Sequence, residues 1–154
     1  MSLQIVLFEP EIPPNTGNIA RLCVATNTAL HLIEPLGFEI TDKKLKRAGL
    51  DYWPFLNLKI WSCWKDFYKQ VGYKHRLIFT SAREGIIYTK FCFQEHDCLI
   101  FGPESRGLPE VILAQSPYKV SIPMWGKVRS LNLSTAAGII LYEAYRQLHS
   151  FFSP

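Results

Sequence analysis

Polar side chains crowd one stretch near the C-terminus, where a glycine-containing loop leads into a long apolar helix. Ser130, Asn132, Ser134 and Thr135 stand at the predicted start of this helix. The unpaired backbone N–H groups of a helix start, together with the helix dipole, favour an anion or a polar ligand there. The same side chains are also good helix N-caps. On these residues alone, an N-capped core helix is the simpler interpretation and a ligand site is the alternative.

This loop is one of three polar loops that each follow a predicted strand. Residues 9–21 follow the first strand, residues 102–107 follow the fifth, and residues 123–132 follow the sixth and lead into the final helix. Ligands of open α/β sheets bind at the carboxyl ends of the strands, so we expect a site where these loops meet. Neither a GxxxxGK[ST] nor a GxGxxG pattern is present. Their absence disfavours a P-loop nucleotide hydrolase and a Rossmann dehydrogenase.

The elements that position these loops alternate regularly between strand and helix. Apolar, β-branched runs predict strands over 3–8, 30–34, 56–61, 76–80, 97–101 and 119–122. Helical spacing and capping residues predict helices after residues 15–18, over 43–48, 63–70 and 109–115, and after residue 132. Residues 82–96 are left irregular, because Ile86–Phe93 has strand composition but lies where the alternation calls for a helix or a loop. We therefore predict an α/β fold in which helices cover both faces of a mainly parallel six-stranded sheet, as one domain over residues 1–154.

Composition narrows the classes of protein. Apolar residues make up 48% of the 154 residues and charged residues 19%, and no apolar run approaches the ~20 residues of a membrane span. The first residues lack a basic leader, so we expect a cytoplasmic protein. Cys23, Cys63, Cys92 and Cys98 form no CxxC pair, so neither disulfides nor a zinc site is expected. The net charge of +4 permits an acidic partner such as RNA.

Three segments together resemble a known family. NTGNIAR (residues 15–21), FGPESRGLP (101–109) and IPM through SLNLS (122–134) look like the three ordered motifs of the SPOUT-class RNA 2′-O-methyltransferases. The resemblance spans nearly the whole chain. The opening EPEIPPNTGNIARLC (9–23) and the segment RAGLDY (47–52) resemble more narrowly the enzymes that act on the wobble cytidine or uridine of tRNA.

This resemblance implies a fold that composition could not indicate, a sheet whose C-terminal segment forms a trefoil knot. General rules of chain topology would have excluded it. The resemblance also implies a homodimer in which each site is completed across the interface. It implies S-adenosyl-L-methionine as cofactor, S-adenosyl-L-homocysteine as product, and no metal. The cofactor-binding residues would be Thr80, Gly102, Glu104, Ile122, Ser130 and Leu131.

The implied reaction transfers a methyl group from a sulfonium ion to a ribose 2′-hydroxyl. A ribose 2′-hydroxyl is a poor nucleophile, whereas a sulfonium methyl group is already electrophilic. The site must therefore align the two groups and assist removal of the proton. By resemblance Arg21 activates the hydroxyl, and Asn15 and Asn132 orient it. An arginine keeps its proton at physiological pH, so an equal alternative is that Arg21 binds the adjacent phosphate and stabilises developing charge.

The expected partner is the anticodon stem-loop of tRNA, with no role for a membrane. The RNA-binding candidates are five basic residues and one aromatic residue: Lys43, Lys44, Arg47, Arg106, Arg129 and Trp125. The basic run could instead be a solvated helix face, Arg106 could pair with Glu104, and Tyr52 is expected to pack rather than stack on a base. The alternative functions are a non-catalytic RNA-binding module of the same fold and 2′-O-methylation at another tRNA or rRNA position.

Overall fold

The computed structural model describes residues 3–41, 43, 47 and 50–149. Seven strands of this part of the chain form one sheet in the order β3-β2-β1-β6-β4-β7-β5, and every pair is parallel. The strands are β1 (Gln4–Phe8), β2 (Ala29–Ile33), β3 (Leu58–Trp61), β4 (Leu77–Thr80), β5 (Ile86–Ile87), β6 (Cys98–Phe101) and β7 (Lys119–Ser121). The predicted α/β class and parallel sheet are confirmed.

Four α-helices and three short 3₁₀ turns that lie wholly within the described residues connect the strands. The helices are α1 (Pro13–Ala25), α2 (Trp64–Gln70), α3 (Glu110–Leu113) and α4 (Leu133–Leu148), and the turns are Leu50–Phe55, Gly72–Lys74 and Tyr88–Lys90. The helix predicted over residues 43–48 lies mostly outside the described residues, although Lys43 and Arg47 are helical and exposed. None of the helices in the described ranges is long and apolar enough to cross a membrane.

Two predictions need correction. The sheet has a seventh strand, because Ile86–Ile87 pairs with β7 at the sheet edge in the segment that the sequence left irregular. Helix α1 begins at Pro13, before the Asn15-to-Asn18 segment that was expected to precede it. Proline is tolerated in the first helical turn, because the N–H it lacks would have no partner there. The NTGN residues therefore lie inside the helix.

The strands bury apolar side chains on both faces of the sheet. In β1, Ile5 and Leu7 point to one face and Val6 and Phe8 to the other, as the period of two in a strand requires. The first face is covered by α1 and α4, which contact each other, and the second by α2 and α3. Helices on both faces are thus confirmed, and the loops at the carboxyl ends of the strands rest on a rigid base.

A chain of partly buried polar side chains runs across β1, β2 and β3. The indole nitrogen of Trp61 donates to Nδ1 of His31 at 3.0 Å, and Nε2 of His31 lies 2.6 Å from Oε1 of Gln4. An indole N–H can only donate, so Nδ1 of His31 accepts and Nε2 carries the proton. Burial, with the positive charge of Lys59 and His75 nearby, lowers the pKa of His31 to about 4. His31 is therefore neutral in the folded protein at physiological pH.

This pKa predicts a pH-dependent stability. An unfolded histidine, with a pKa near 6.5, binds a proton that folded His31 does not bind until about pH 4. The free energy of unfolding should therefore fall as the pH drops through this window, by about 2 kcal/mol for this side chain between pH 7 and pH 5. Urea denaturation of the wild type and of His31→Asn at both pH values measures it. An equal pH dependence in the variant would contradict the assignment.

Candidate active site

A cavity of about 770 Å³ opens at the carboxyl ends of β4, β6 and β7. Its walls come from the loops that follow these three strands and from the first turns of α1 and α4. All six residues predicted to bind a cofactor line it: Thr80, Gly102, Glu104, Ile122, Ser130 and Leu131. Asn15 and Asn132 line it as well. The structure therefore brings together residues from all three sequence motifs, and their roles stay predictions.

The loop after β6 turns back on itself so tightly that it needs glycine. A Cβ atom on Gly102 would lie 2.5 Å from the backbone nitrogen of Leu108 and 2.6 Å from the carbonyl carbon of Gly107. Gly107 has a φ of 68°, in the left-handed region that glycine adopts without strain. The loop is closed by a hydrogen bond from the Gly107 N–H to the Pro103 carbonyl at 3.0 Å. These two glycines let its backbone form one wall of the cavity.

Reciprocal hydrogen bonds fasten this loop to the start of α1. The Glu104 carboxylate accepts from the backbone N–H groups of Glu11, at 3.2 Å, and Ile12, at 2.5 Å. In return, the Glu11 carboxylate accepts from the Ser105 backbone N–H at 2.8 Å and from its hydroxyl at 2.7 Å. We call these four residues the carboxylate clamp. The bond from the Ser105 backbone N–H is the main cause that holds the pKa of Glu11 below its usual value.

The clamp corrects one expectation about the loop. Glu104 does not pair with Arg106 within the turn, because Arg106 instead forms an ion pair with Glu9 at 2.9 Å. Both carboxylate oxygens of Glu104 lie within hydrogen-bonding distance of backbone N–H groups just before α1, where Ile12 is the N-cap. The contribution of Glu104 to the cavity is therefore first to fix the position of α1, whose unpaired N–H groups a carboxylate stabilises.

Two asparagines join the starts of α1 and α4 inside the cavity. Asn132 is the N-cap of α4, and its Oδ1 accepts from the Ser134 N–H at 2.9 Å and the Thr135 N–H at 3.3 Å. Its Nδ2 donates to Oδ1 of Asn15 at 3.0 Å. The capped helix predicted here is confirmed. Asn15 is only 5% exposed, so its own NH₂ group is a donor with a fixed direction at the cavity wall.

Arg21 lies on the same helix as Asn15 but is not among the residues that line the cavity. Six residues along an α-helix correspond to about 120° of net rotation and about 9 Å of rise. The exposed Arg21 therefore points away from the cavity of its own chain. Its guanidinium carbon lies 5.0 Å from the centre of the Tyr52 ring. The third predicted catalytic residue is thus separated from the other two within one chain.

The RNA-binding candidates fall into two groups. Arg106 and Arg129 line the cavity, and Trp125, in the loop beside Arg129, is 90% exposed. Lys43 and Arg47 are exposed in the segment before the turn at Leu50–Phe55, and Lys44 lies outside the described residues. The first group is placed where a ligand entering the cavity would pass.

Sequence reasoning missed two parts of the site. Glu11 and Ile12 were assigned to a loop without a role, although their proximity to NTGN was a usable signal. Ser81 and Arg83 also line the cavity, and the Ser81 hydroxyl accepts from the backbone N–H of Arg83 at 3.1 Å. They belong to the loop after β4, in and beside the segment that the sequence left irregular. No signal in the sequence separated them from other surface polar residues.

Replacing Glu104 with glutamine tests the carboxylate clamp. The amide can still accept one hydrogen bond, but it carries no charge, so the variant should lose about 1.5–3 kcal/mol of unfolding free energy. Hydrogen exchange at the Glu11 and Ile12 amides should accelerate at the same time. The exposed Glu95, replaced with glutamine, is the matched control. Unchanged exchange at both amides would show that Glu104 does not hold them.

Comparison with known proteins identifies the class of this site. The model of the SpoU rRNA Methylase family matches residues 2–142. A tRNA (cytidine(34)-2'-O)-methyltransferase from Methylovorus glucosotrophus is 48% identical over 149 residues, covering 96% of each chain. A solved structure described as giving insights into the 2-OH methylation of C/U34 on tRNA is 50% identical, with a TM-score of 0.91 and 96% of each chain covered.

A more distant structure shares the fold in complex with a cofactor. The SpoU methyltransferase AviRb from Streptomyces viridochromogenes, solved with AdoMet, is 28% identical with a TM-score of 0.87. The match covers 97% of this chain and 61% of AviRb. The residues matched by the family model, 2–142, include all three loops of the cavity. By the match to the family model over nearly its whole length, the chain belongs to the SpoU rRNA Methylase family.

Proposed function

We propose that the protein transfers the methyl group of S-adenosyl-L-methionine to the ribose 2′-hydroxyl of the wobble nucleotide, cytidine or modified uridine, in the anticodon loop of tRNA. The observation that carries this proposal is the convergence of the three motif loops on one cavity. Relatives described by this activity match the chain along 96% of its length, which supports the proposal. The chain acts as one methyltransferase domain, in the cytoplasm, where tRNA is found.

The cavity fits the proposed cofactor in size and chemistry. Its volume lies within the roughly 300–1,000 Å³ of small-molecule sites. Ile122, Leu131 and Leu108 supply apolar walls for a flat base, and Gly102 lines the cavity beside them. S-adenosylmethionine bound there supplies an electrophilic methyl group. Glu104 contributes by holding the loop, since its carboxylate oxygens contact the backbone just before α1.

Asn15 and Asn132 orient the reacting hydroxyl. Their mutual hydrogen bond fixes both amides, so the free NH₂ of Asn15 can direct the ribose without reorganising. Methyl transfer forms the carbon–oxygen bond at the 2′ position as the carbon–sulfur bond breaks, and the hydroxyl proton leaves to solvent. Negative charge that develops on the 2′ oxygen is then stabilised by a cation.

Arg21 is that cation, and we place it in the cavity of a second subunit. Within one chain it points away from Asn15, so a homodimer whose sites are completed across the interface accounts for both residues. Arginine is charged at physiological pH, so the guanidinium beside the Tyr52 ring is suited to bind the adjacent phosphate rather than to abstract a proton. The proposed fold includes the trefoil knot. The position of β4 between β6 and β7 is compatible with a C-terminal segment that threads through a loop.

Basic residues around the cavity bind the RNA backbone. Arg106 and Arg129 contact phosphates at the mouth, and the exposed Trp125 offers a ring on which an unstacked base can stack. Lys43, Lys44 and Arg47 contact the stem. Together these residues hold the anticodon stem-loop.

Methylation of a synthetic anticodon stem-loop with labelled S-adenosylmethionine tests the function. We expect one label per stem-loop with cytidine at position 34, and no label when that nucleotide is 2′-deoxycytidine. A stem-loop with 2′-deoxyribose only at the following nucleotide is the control and should be labelled. Label that persists on the deoxycytidine substrate would overturn the assigned position. Tight RNA binding without any label would favour the non-catalytic module.

Replacing Arg21 with alanine tests its role. We expect cofactor binding in calorimetry to stay within about twofold, because the proposed partner of Arg21 is the RNA and not the cofactor, and the single-turnover rate to fall about a hundredfold. The control is Lys69→Ala, an exposed residue of α2 on the other face of the sheet. A wild-type rate in Arg21→Ala would remove Arg21 from the reaction.

A further inference from the structure

The turn at Leu50–Phe55 places an aromatic ring against the predicted catalytic cation. The guanidinium carbon of Arg21 lies 5.0 Å from the centre of the Tyr52 ring, within the ~6 Å range of a cation–π contact. Tyr52 is half-buried, whereas Arg21 is exposed. The ring is thus the more firmly held member of the pair.

The turn that carries Tyr52 is itself anchored on α1. The turn contacts α1, its residue Trp53 packs against the core cluster to which α1 contributes, and the Trp53 carbonyl accepts from the Leu56 N–H at 3.1 Å. Pro54 further restricts the backbone of the turn. The Tyr52 ring therefore has a fixed position relative to the helix that carries both Asn15 and Arg21.

An exposed arginine on a helix ordinarily samples many rotamers, and ordering it costs side-chain entropy. A ring face restricts the guanidinium without neutralising its charge, unlike a carboxylate. Among the described residues, no carboxylate lies within ion-pair distance of Arg21. The contact therefore leaves the charge of Arg21 available to an anion brought by a substrate.

We propose that Tyr52 is a positioning residue for Arg21: its ring holds the guanidinium in the orientation in which it meets the reacting nucleotide. This inference rests on the proposed function, in which Arg21 stabilises charge at the 2′ oxygen. The ring and not the hydroxyl carries the effect, since the Tyr52 hydroxyl makes no hydrogen bond within the described part of the chain.

A double-mutant cycle tests the proposal, with single-turnover methylation of the stem-loop at saturating RNA as the readout. Tyr52→Leu should lower the rate about two- to fivefold, as loss of an exposed cation–π contact predicts, and Tyr52→Phe should keep the wild-type rate. In an Arg21→Ala background, Tyr52→Leu should have no further effect. A residue that only packs would give the same loss in both backgrounds.

A second readout does not depend on activity. The ring current of Tyr52 should shift the side-chain Nε–Hε resonance of Arg21 in the free protein, and this shift should persist in Tyr52→Phe and vanish in Tyr52→Leu. Thermal melts of all variants establish that they fold. A Tyr52→Leu rate equal to wild type, with Arg21→Ala inactive, would overturn this inference alone. A wild-type rate in Arg21→Ala would overturn the proposed role of Arg21 and the inference with it.

Discussion

The position of helix α1 depends on two carboxylates: Glu104 in the loop after β6, and Glu11 just before the helix. Glu104 binds the unpaired N–H groups at the helix start, and Glu11 binds Ser105 in return. Each acidic side chain thus stabilises the backbone that carries the other. The consequence reaches beyond this contact, because α1 carries Asn15 and Arg21, and any shift of its first turn would displace both. The loop after β6 and the helix after β1 therefore behave as one unit.

The site combines a rigid half with an adjustable half. Asn132 is fixed twice, as the cap of α4 and as the donor to Asn15, so the orienting amides require no rearrangement when a nucleotide arrives. The cationic residues are different: Arg106 and Arg129 are exposed at the mouth, and Arg21 rests only on an aromatic face in the described structure. Such a division suits an enzyme that must place one hydroxyl accurately while it accepts a flexible RNA loop.

Sequence reasoning predicted the strand–helix alternation from local patterns and the residues of the cavity from the resemblance of three motifs to a known family. Apolar runs mark buried parallel strands, and the motif residues are unusual for loops. It misplaced the start of α1, since Pro13 and Pro14 read equally well as a break. The strand Ile86–Ile87 was missed because two residues are too short to show a period. The clamp and the ring of Tyr52 were beyond reach, since both depend on residues brought together from distant parts of the chain.

The short β5 has a consequence for how the molecule meets its neighbours. An edge strand exposes unpaired N–H and C=O groups, which can recruit a strand from another chain and start aggregation. Ile86 and Ile87 are 52% and 38% exposed, so this edge also presents apolar side chains to solvent. The short length of β5 protects the edge from such pairing, because two residues offer too few backbone hydrogen bonds to hold a strand of another chain. Residues that extend β5 would remove this protection, and the cost would appear as lost solubility before any loss of folding.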